Sequence, residues 1–163
     1  MIVYHGSLEK VSSPEIREPN RTLDYGSGFY TTTSFEQAES WVRRKMNEQR
    51  RGRGFVNVYE FDERQMEALN CLVLETPTEE WVDFVMKNRT QVGFSHDFDI
   101  VYGPVANDRV YAAFALFEGG ILSKEELIKE LKAFELVDQY LFHTERALTA
   151  LSFIEGKELK DES

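Results

Sequence analysis

The chain has 163 residues, of which 42% are hydrophobic and 13% aromatic, a composition that excludes a disordered protein and favours one domain with a real core. Its formal net charge of −10 argues against binding nucleic acid through the overall electrostatic field. No apolar run approaches the ~20 residues of a membrane span. A secretory signal is not recognisable, and the single cysteine, Cys71, excludes an intramolecular disulfide, so we expect a cytoplasmic protein without a membrane partner.

The first half of the chain alternates short strands with one long helix. Ser34 and Gln37 have the spacing of a capping box, which predicts a helix that begins directly after Ser34. Residues 8–24 have weak periodicity and two prolines, and they predict a loop. The other predicted elements are, in order, strands over residues 2–5 and 29–32, the helix over residues 35–49, and strands over residues 55–61 and 71–74 that can pair with each other.

The second half contains three helices whose starts are marked by capping residues, namely Thr78, Asn107 and Ser123. Strands are predicted over residues 98–104 and 140–143 because β-branched and aromatic residues dominate there. Thr144 is expected to cap a terminal helix that includes Ala147, Leu148 and Leu151, and residues 157–163 form a polar tail.

These elements mix helices and strands without a regular βαβ rhythm, so the predicted fold class is α+β, with one domain over residues 1–156. The pair Gly26 and Gly28 does not form a dinucleotide-binding fingerprint, since it precedes a strand instead of opening a helix.

A basic segment interrupts the acidic chain. Six cations lie within eleven residues, with Glu48 as the only acid among them: Arg43, Arg44, Lys45, Arg50, Arg51 and Arg53. Composition leaves two interpretations open, a solvated helix end with its loop or a local patch for a phosphate-bearing ligand or nucleic acid.

Three short segments are candidates for lining one cleft. They are Tyr4-His5-Gly6-Ser7, Tyr25-Gly26-Ser27-Gly28-Phe29-Tyr30-Thr31-Thr32 and Asp138-Gln139-Tyr140-Leu141-Phe142-His143. Glycine in the first two segments allows backbone to approach a ligand closely, because it lacks a Cβ. His96 and His143 are expected to be structural, and no histidine pair has the spacing of a metal site.

The segment Tyr-Gly-Ser-Gly-Phe-Tyr at 25–30 resembles the Phe-Gly-Lys-Gly-Ile-Tyr motif of poly(ADP-ribose) polymerases and related ADP-ribosyltransferases. His5-Gly6 resembles their opening His-Gly motif, and Gln139 stands where these enzymes commonly have glutamate. Trp41 lies eleven residues after Tyr30, as does an aromatic residue in those enzymes. The resemblance implies a catalytic triad of His5, Tyr30 and Gln139.

Nearly the whole chain resembles a bacterial domain family of unknown function, number 3990 (DUF3990). The residues that carry this likeness are the segments around His5 and Tyr30, residues 103–108 and residues 138–144. The family is grouped with the ADP-ribosyltransferase fold, which implies two packed, antiparallel-rich sheets and flanking helices around an NAD cleft.

The resemblance also implies how NAD would be held. The backbone of Gly6, with Ser7, would anchor the nicotinamide carboxamide, and Tyr30 with Trp41 would stack on the pyridinium. His5 would hydrogen-bond the adenine-side ribose and Gln139 the reacting ribose, while Gly28 would let the second motif approach the cofactor. Core packing is the alternative for His5, Tyr30 and Trp41, and for Trp41 it is as good an explanation as stacking. For Gln139 the alternative is a cap at a strand edge.

The function implied is mono-ADP-ribosylation of a macromolecular acceptor, protein or nucleic acid, with NAD as the substrate. By analogy with small bacterial members of the superfamily, we expect a toxin or effector, and a cognate antitoxin protein would engage residues 43–53. A carboxamide at Gln139 stabilises developing positive charge less than a carboxylate. The alternatives are therefore a pseudoenzyme that binds NAD or ADP-ribose, and an interaction domain without turnover.

Overall fold

The computed structural model describes residues 1–17, 23–91 and 93–161, and its architecture is α+β, with two mostly antiparallel sheets and flanking helices. The described strands are β1 (Ile2–Ser7), β2 (Phe29–Thr31), β3 (Arg53–Phe61), β4 (Cys71–Val73), β5 (Ile100–Pro104), β6 (Asp138–Phe142) and β7 (Leu151–Lys160). The described helices are α1 (Phe35–Gln49), α2 (Glu79–Thr90), α3 (Asp108–Glu118), α4 (Lys124–Ala133) and α5 (Glu145–Leu148), with a 3-10 helix over Glu63–Ala68.

The strands divide between two sheets. Sheet A has the order β1-β3-β7 and is antiparallel throughout, whereas sheet B has the order β2-β6-β5-β4 with one parallel pair, β4 and β5. Tyr4 and Thr32 exchange two backbone hydrogen bonds of 2.8 and 2.9 Å, which link β1 of sheet A to the end of β2 in sheet B. The two sheets therefore meet where the first two sequence motifs lie.

Three hydrophobic clusters show that the elements are stacked in four layers. Helix α1 covers the outer face of sheet A through Val42 and Met46. The second cluster fills the space between the sheets, where Val3 and Phe61 face Phe142. The third cluster packs α2, α3 and α4 on the other face of sheet B. Successive residues of a strand point to opposite faces, which explains how β6 serves two clusters at once.

Local signals set the helix starts. Five capping side chains accept a backbone N–H two or three residues into the helix they precede: Ser34, Thr78, Asn107, Ser123 and Thr144. The predicted helix over residues 35–49 is confirmed with its bounds. Each cap satisfies a donor that the helix itself leaves unpaired.

The end of the domain differs from the prediction. The helix after Thr144 is a single turn, and Leu151 begins strand β7, which continues to Lys160. Residues 157–160 therefore extend sheet A, so the polar tail predicted from residue 157 was wrong over these four residues. Strand β7 escaped prediction because charged side chains occupy much of an edge strand whose outward face is exposed.

Two further predictions in the first half need correction. The predicted strands over 55–61 and 71–74 could have paired with each other, but β4 pairs with β5 in the other sheet. The strand predicted over 55–61 begins earlier, at Arg53, so Gly54 lies in β3, where a Cβ would be 2.3 Å from Cγ1 of Val42. Glycine is therefore needed there so that α1 can pack closely on the sheet.

Among the described residues, no helix is both long and apolar enough to cross a bilayer. The same part of the chain holds no group of three or more histidine, cysteine, aspartate or glutamate side chains arranged to bind a metal ion.

Replacement of Gly6 by alanine is expected to destabilise the domain by about 1–3 kcal/mol through overpacking. A Cβ on Gly6 would lie 2.8 Å from the backbone oxygen of Ala38 and 2.7 Å from Cγ2 of Val42, so helix α1 would have to move. Urea denaturation would measure the change. Gly52→Ala is the matched control, because a Cβ there meets no atom within 4 Å; equal stability of the two variants would contradict the prediction.

Candidate functional site

The first two motifs are in direct contact. Nδ1 of His5 on β1 lies 2.7 Å from the backbone oxygen of Tyr30 on β2. A carbonyl oxygen only accepts hydrogen bonds, so Nδ1 carries the proton and Nε2 keeps its lone pair as an acceptor. The link between Tyr4 and Thr32 holds the two strands at the separation that this bond requires.

The imidazole of His5 is partly buried and stacks on Phe29, with ring centroids 4.1 Å apart. Burial lowers the pKa of His5 to about 4; the hydrogen bond to Tyr30 opposes this shift, and the charge of Arg17 adds to it. His5 is therefore neutral at pH 7. A neutral ring with a fixed tautomer presents Nε2 as an acceptor for a hydroxyl group.

Tyr30 uses its phenol to hold the glycine-rich turn that precedes β2. Its hydroxyl donates to the backbone oxygen of Gly26 at 2.6 Å and accepts from the N–H of Tyr25 at 3.0 Å. Gly26 has φ of 86°, in the left-handed region where glycine is favoured. Burial strongly raises the pKa of Tyr30, so this phenol stays protonated and keeps its donor role.

Gln139 belongs to a buried polar network centred on Tyr25. Its Nε2 lies 3.4 Å from the backbone oxygen of Pro104, and its amide also hydrogen-bonds the hydroxyl of Tyr25. That hydroxyl donates to Pro104 at 2.7 Å and accepts from the indole N–H of Trp81 at 2.8 Å. Burial raises the pKa of Tyr25, while the hydrogen bonds from Trp81 and Gln139 oppose the rise.

This network gives a physical reason for a carboxamide at position 139. The side chain at position 139 faces the carbonyl oxygen of Pro104 and the hydroxyl oxygen of Tyr25. The Tyr25 hydroxyl already donates its proton to Pro104, so the side chain at position 139 must act as a donor. An ionised carboxylate has only acceptors and cannot meet that requirement. A glutamine at this position, where the resembling enzymes commonly have glutamate, therefore supplies the donor that the neighbouring oxygens require.

The three predicted catalytic residues lie on three strands, β1, β2 and β6, and their side chains face two different layers. Tyr30 is paired with Leu141 across β2 and β6, so Tyr30 and Gln139, two residues away on β6, share one face of sheet B. His5 stacks on Phe29, whose ring lies in the core between the sheets. Among the hydrogen bonds of the described residues, none joins these three side chains directly; His5 reaches Tyr30 through its backbone.

The backbone of Gly6 points to an edge of sheet A. Residues two apart on a strand direct their N–H and C=O to the same side, and those of Tyr4 bond Thr32 across the edge opposite β3. The N–H and C=O of Gly6 therefore face the same edge, beyond the isolated bridge between Tyr4 and Thr32. The one donor and one acceptor of this residue are complementary to a carboxamide.

Helix α1 closes the other side of Gly6, which corrects one expectation. Glycine was expected at position 6 so that a ligand could approach, but the space of a side chain is occupied by Ala38 and Val42 of α1. Trp41 is partly exposed on the same helix, and its Cε3 lies 3.3 Å from the position of a Cβ on Gly6. The indole of Trp41 thus lies beside Gly6, and the ammonium of Lys45 is 5.5 Å from the centroid of the indole ring.

Two remaining cofactor candidates have structural partners. The hydroxyl of Ser7 accepts from the N–H of Glu9 at 3.1 Å. Gly28 has φ of 143°, and a Cβ there would lie 2.5 Å from the backbone oxygen of Phe142, so this glycine permits β6 to approach the second motif.

Several residues around the candidate site were not singled out from the sequence. Tyr25 is fully buried at the centre of the network. Asp24 accepts from the hydroxyl of Tyr111 at 3.1 Å and pairs with Arg89 at 3.5 Å, and burial raises the pKa of its carboxyl. The only signal for Tyr25 was its place in the second motif, and the partners of Asp24 lie too far along the chain to be found from spacing.

The two later histidines brace the glycine-rich turn, in line with the structural role expected for them. His96 contacts the backbone oxygen of Tyr25 at 2.8 Å through Nε2, and His143 contacts that of Ser27 at 2.6 Å through Nδ1. Their rings lie 4.2 Å apart.

A cavity of about 330 Å³ opens beside the start of β6. Asp138 lines it, and its carboxylate accepts from the hydroxyl of Thr33 at 2.6 Å and from that of Tyr102 at 3.0 Å. A second cavity, of about 560 Å³, lies at the end of α1. Neither of these two cavities is lined by His5, Tyr30 or Gln139.

A family model described as "Protein of unknown function (DUF3990)" matches residues 1–153. No curated protein and no solved structure is detectably similar to the chain.

Stability is expected to fall as the pH drops from 6.5 towards 4, because the unfolded chain protonates His5 in that range while the folded protein does not. The slope would approach about 1.4 kcal/mol per pH unit for one proton. Burial also lowers the pKa of His96, so this residue contributes to the loss of stability at low pH in the same way. Urea denaturation between about pH 5 and 7 avoids most carboxylate titration.

His5→Asn is the control for this pH dependence. Its amide can donate to the Tyr30 carbonyl but does not titrate, so the slope should decrease and only the contribution of His96 should remain. An unchanged slope in His5→Asn would show that His5 does not cause it.

Gln139→Glu is expected to cost about 1–3 kcal/mol at pH 7, because an ionised carboxylate would be buried against the backbone oxygen of Pro104, to which it cannot donate. The penalty should grow with rising pH as the glutamate ionises and shrink in acid. Gln139→Met removes the donor without adding charge, so its penalty should not depend on pH. Thermal unfolding of both variants across the pH range tests this; full wild-type stability of Gln139→Glu at pH 8 would refute it.

Proposed function

This chain belongs to the DUF3990 family, and we propose that it is an NAD-dependent mono-ADP-ribosyltransferase with an ADP-ribosyltransferase-like fold, acting on a macromolecular acceptor. The observation that carries the proposal is the edge of β1, where the N–H and C=O of Gly6 lie one residue from the acceptor nitrogen of His5 and beside Trp41.

Nicotinamide is flat and carries a carboxamide, and both features have a complement at this edge. The backbone of Gly6 would pair with the carboxamide, and the indole of Trp41 would stack on the pyridinium, gaining cation–π attraction before the glycosidic bond breaks. Nε2 of His5 would accept from a hydroxyl of the adenine-side ribose. Tyr30 would act through the glycine-rich turn, which its phenol holds in place.

The transfer breaks the bond between nicotinamide and C1′ of the ribose. A nucleophilic atom of the acceptor bonds to C1′ and loses its proton to solvent, and neutral nicotinamide leaves. Positive charge develops on the sugar during this step. Gln139 has only the dipole of its amide to offer that charge, and hydrogen bonds to charged groups are roughly twice as strong as neutral ones. Turnover is therefore expected to be slow.

A second function is favoured by one observation. Gln139 is 7% exposed, and its amide already hydrogen-bonds Pro104 and Tyr25. To bind the ribose, the amide would have to exchange these partners. If that exchange does not occur, the protein binds NAD or ADP-ribose without turnover. A role as a bacterial toxin or effector, with an antitoxin on the basic segment 43–53, belongs to the first function and rests on analogy.

NAD at millimolar concentration is expected to raise the melting temperature of the wild-type protein, and nicotinamide release measures turnover. His5→Asn keeps the donor to the Tyr30 carbonyl but loses the acceptor at Nε2, so its affinity for NAD should fall about tenfold while its stability at pH 7.5 is retained. Trp41→Ala should weaken binding as well. Ile154→Ala, on the strand at the opposite edge of sheet A, should leave it unchanged.

The outcomes separate the alternatives. Release of nicotinamide that His5→Asn reduces supports the transferase. Binding without release supports the second function. Absence of a thermal shift with NAD removes both and leaves an interaction domain.

A further inference from the structure

The second cavity described above, which we call the arginine pocket, lies at the end of α1, and none of the residues proposed to bind NAD lines it. It has a volume of about 560 Å³ and is lined by Arg43, Met46, Asn47, Arg50, Arg51, Gly52 and Asp161. Three arginines and one aspartate are among the lining residues, and Arg43 also pairs with Glu39, so the local formal charge is +1 in a chain whose net charge is −10. A local excess of positive charge in an acidic chain favours an anionic ligand.

The backbone around the pocket is fixed. The N–H of Arg51 donates to the oxygen of Met46 at 2.9 Å, and that of Asp161 donates to the oxygen of Gly52 at 2.9 Å. Arg43 donates to the backbone oxygen of Lys160 at 3.3 Å and lies 3.8 Å from Glu39. The guanidinium of Arg43 is thus held against the strand that forms one wall.

Arg50 has a backbone conformation that its side chain does not favour. It caps α1 with φ of 52° and ψ of 47°, the left-handed region, and among the described residues it is the one non-glycine residue with positive φ. Glycine usually occupies this capping position, because a Cβ there is strained. An arginine at such a site indicates that its side chain has a use.

The shape and charge of the pocket select a compact ligand. Its volume lies in the range of small-molecule sites, roughly 300–1,000 Å³. Planar guanidinium groups bind phosphate oxygens in bidentate pairs, and two or three of them match a group with several charges. A long nucleic acid would also meet the acidic remainder of the surface, which opposes it.

We propose that the arginine pocket binds a compact phosphorylated ligand, of the size and charge of a nucleoside di- or triphosphate, with Arg50 and Arg51 as the main phosphate contacts and Arg43 as the anchored third. The site is separate from the proposed NAD site, so its occupancy does not depend on the transferase activity.

The test uses inorganic pyrophosphate and ATP as probes, with binding followed by calorimetry and by thermal shift. Both probes should bind the wild-type protein, with affinity that decreases as salt increases. The double variant Arg50→Gln with Arg51→Gln should lose about tenfold or more in affinity. Arg53→Gln is the matched control: it removes an arginine of the same segment that pairs with Glu158 and does not line the pocket, so affinity should stay within about twofold.

Arg50→Gly separates ligand binding from stability. This variant should be at least as stable as the wild-type protein without ligand, because glycine is at ease in the left-handed region, and yet should bind pyrophosphate more weakly. A variant that loses stability instead would show that Arg50 is retained for the fold, which overturns the argument from its conformation.

Two results would overturn the proposal. One is the absence of any binding of pyrophosphate or ATP at about 10 mM, where even weak phosphate sites fill. The other is an oligonucleotide that binds through Arg50 and Arg51 far more tightly than ATP, with affinity that rises with its length, since the surface would then serve a polymer.

Discussion

Two backbone hydrogen bonds between Tyr4 and Thr32 connect the first two sequence motifs. They join β1 of sheet A to the residue that follows β2 of sheet B. The bond from His5 to the Tyr30 carbonyl lies directly beside this link, and the backbone of Gly6 faces the edge just beyond it. In the proposed function, the nicotinamide carboxamide would pair with the backbone at that edge.

Gln139 illustrates how a buried network determines the chemistry of a position. Its amide lies among oxygens that require a donor, beside the fully buried Tyr25, whose hydroxyl also donates to Pro104 and accepts from Trp81. Gln139 therefore contributes to the fold whether or not it takes part in a reaction. If the proposed function holds, NAD would bind at the β1 edge, and the rate of transfer would depend on how readily Gln139 can leave its partners.

Sequence patterns predicted the parts of the fold that depend on neighbouring residues. Capping side chains such as Ser34 and Ser123 marked helix starts because their partners lie three residues away. Strand β7 and the partner of β4 were missed, since pairing in a sheet depends on strands far apart in the chain. At the candidate site, the motifs pointed to His5 and Tyr30. The donors to the Tyr25 hydroxyl come from Trp81 and Gln139, which lie far along the chain, so no local pattern predicts these contacts.

The order of strands in sheet A has a consequence for how the protein is made. Its central strand, β3, pairs on one side with β1 and on the other with β7, which follows it by about ninety residues. While the chain emerges from the ribosome, β3 therefore keeps an edge of unpaired backbone N–H and C=O groups until almost all of the domain has been translated. Premature termination would leave that edge bare, and the nascent fragment would be a substrate for chaperones or a seed for aggregation.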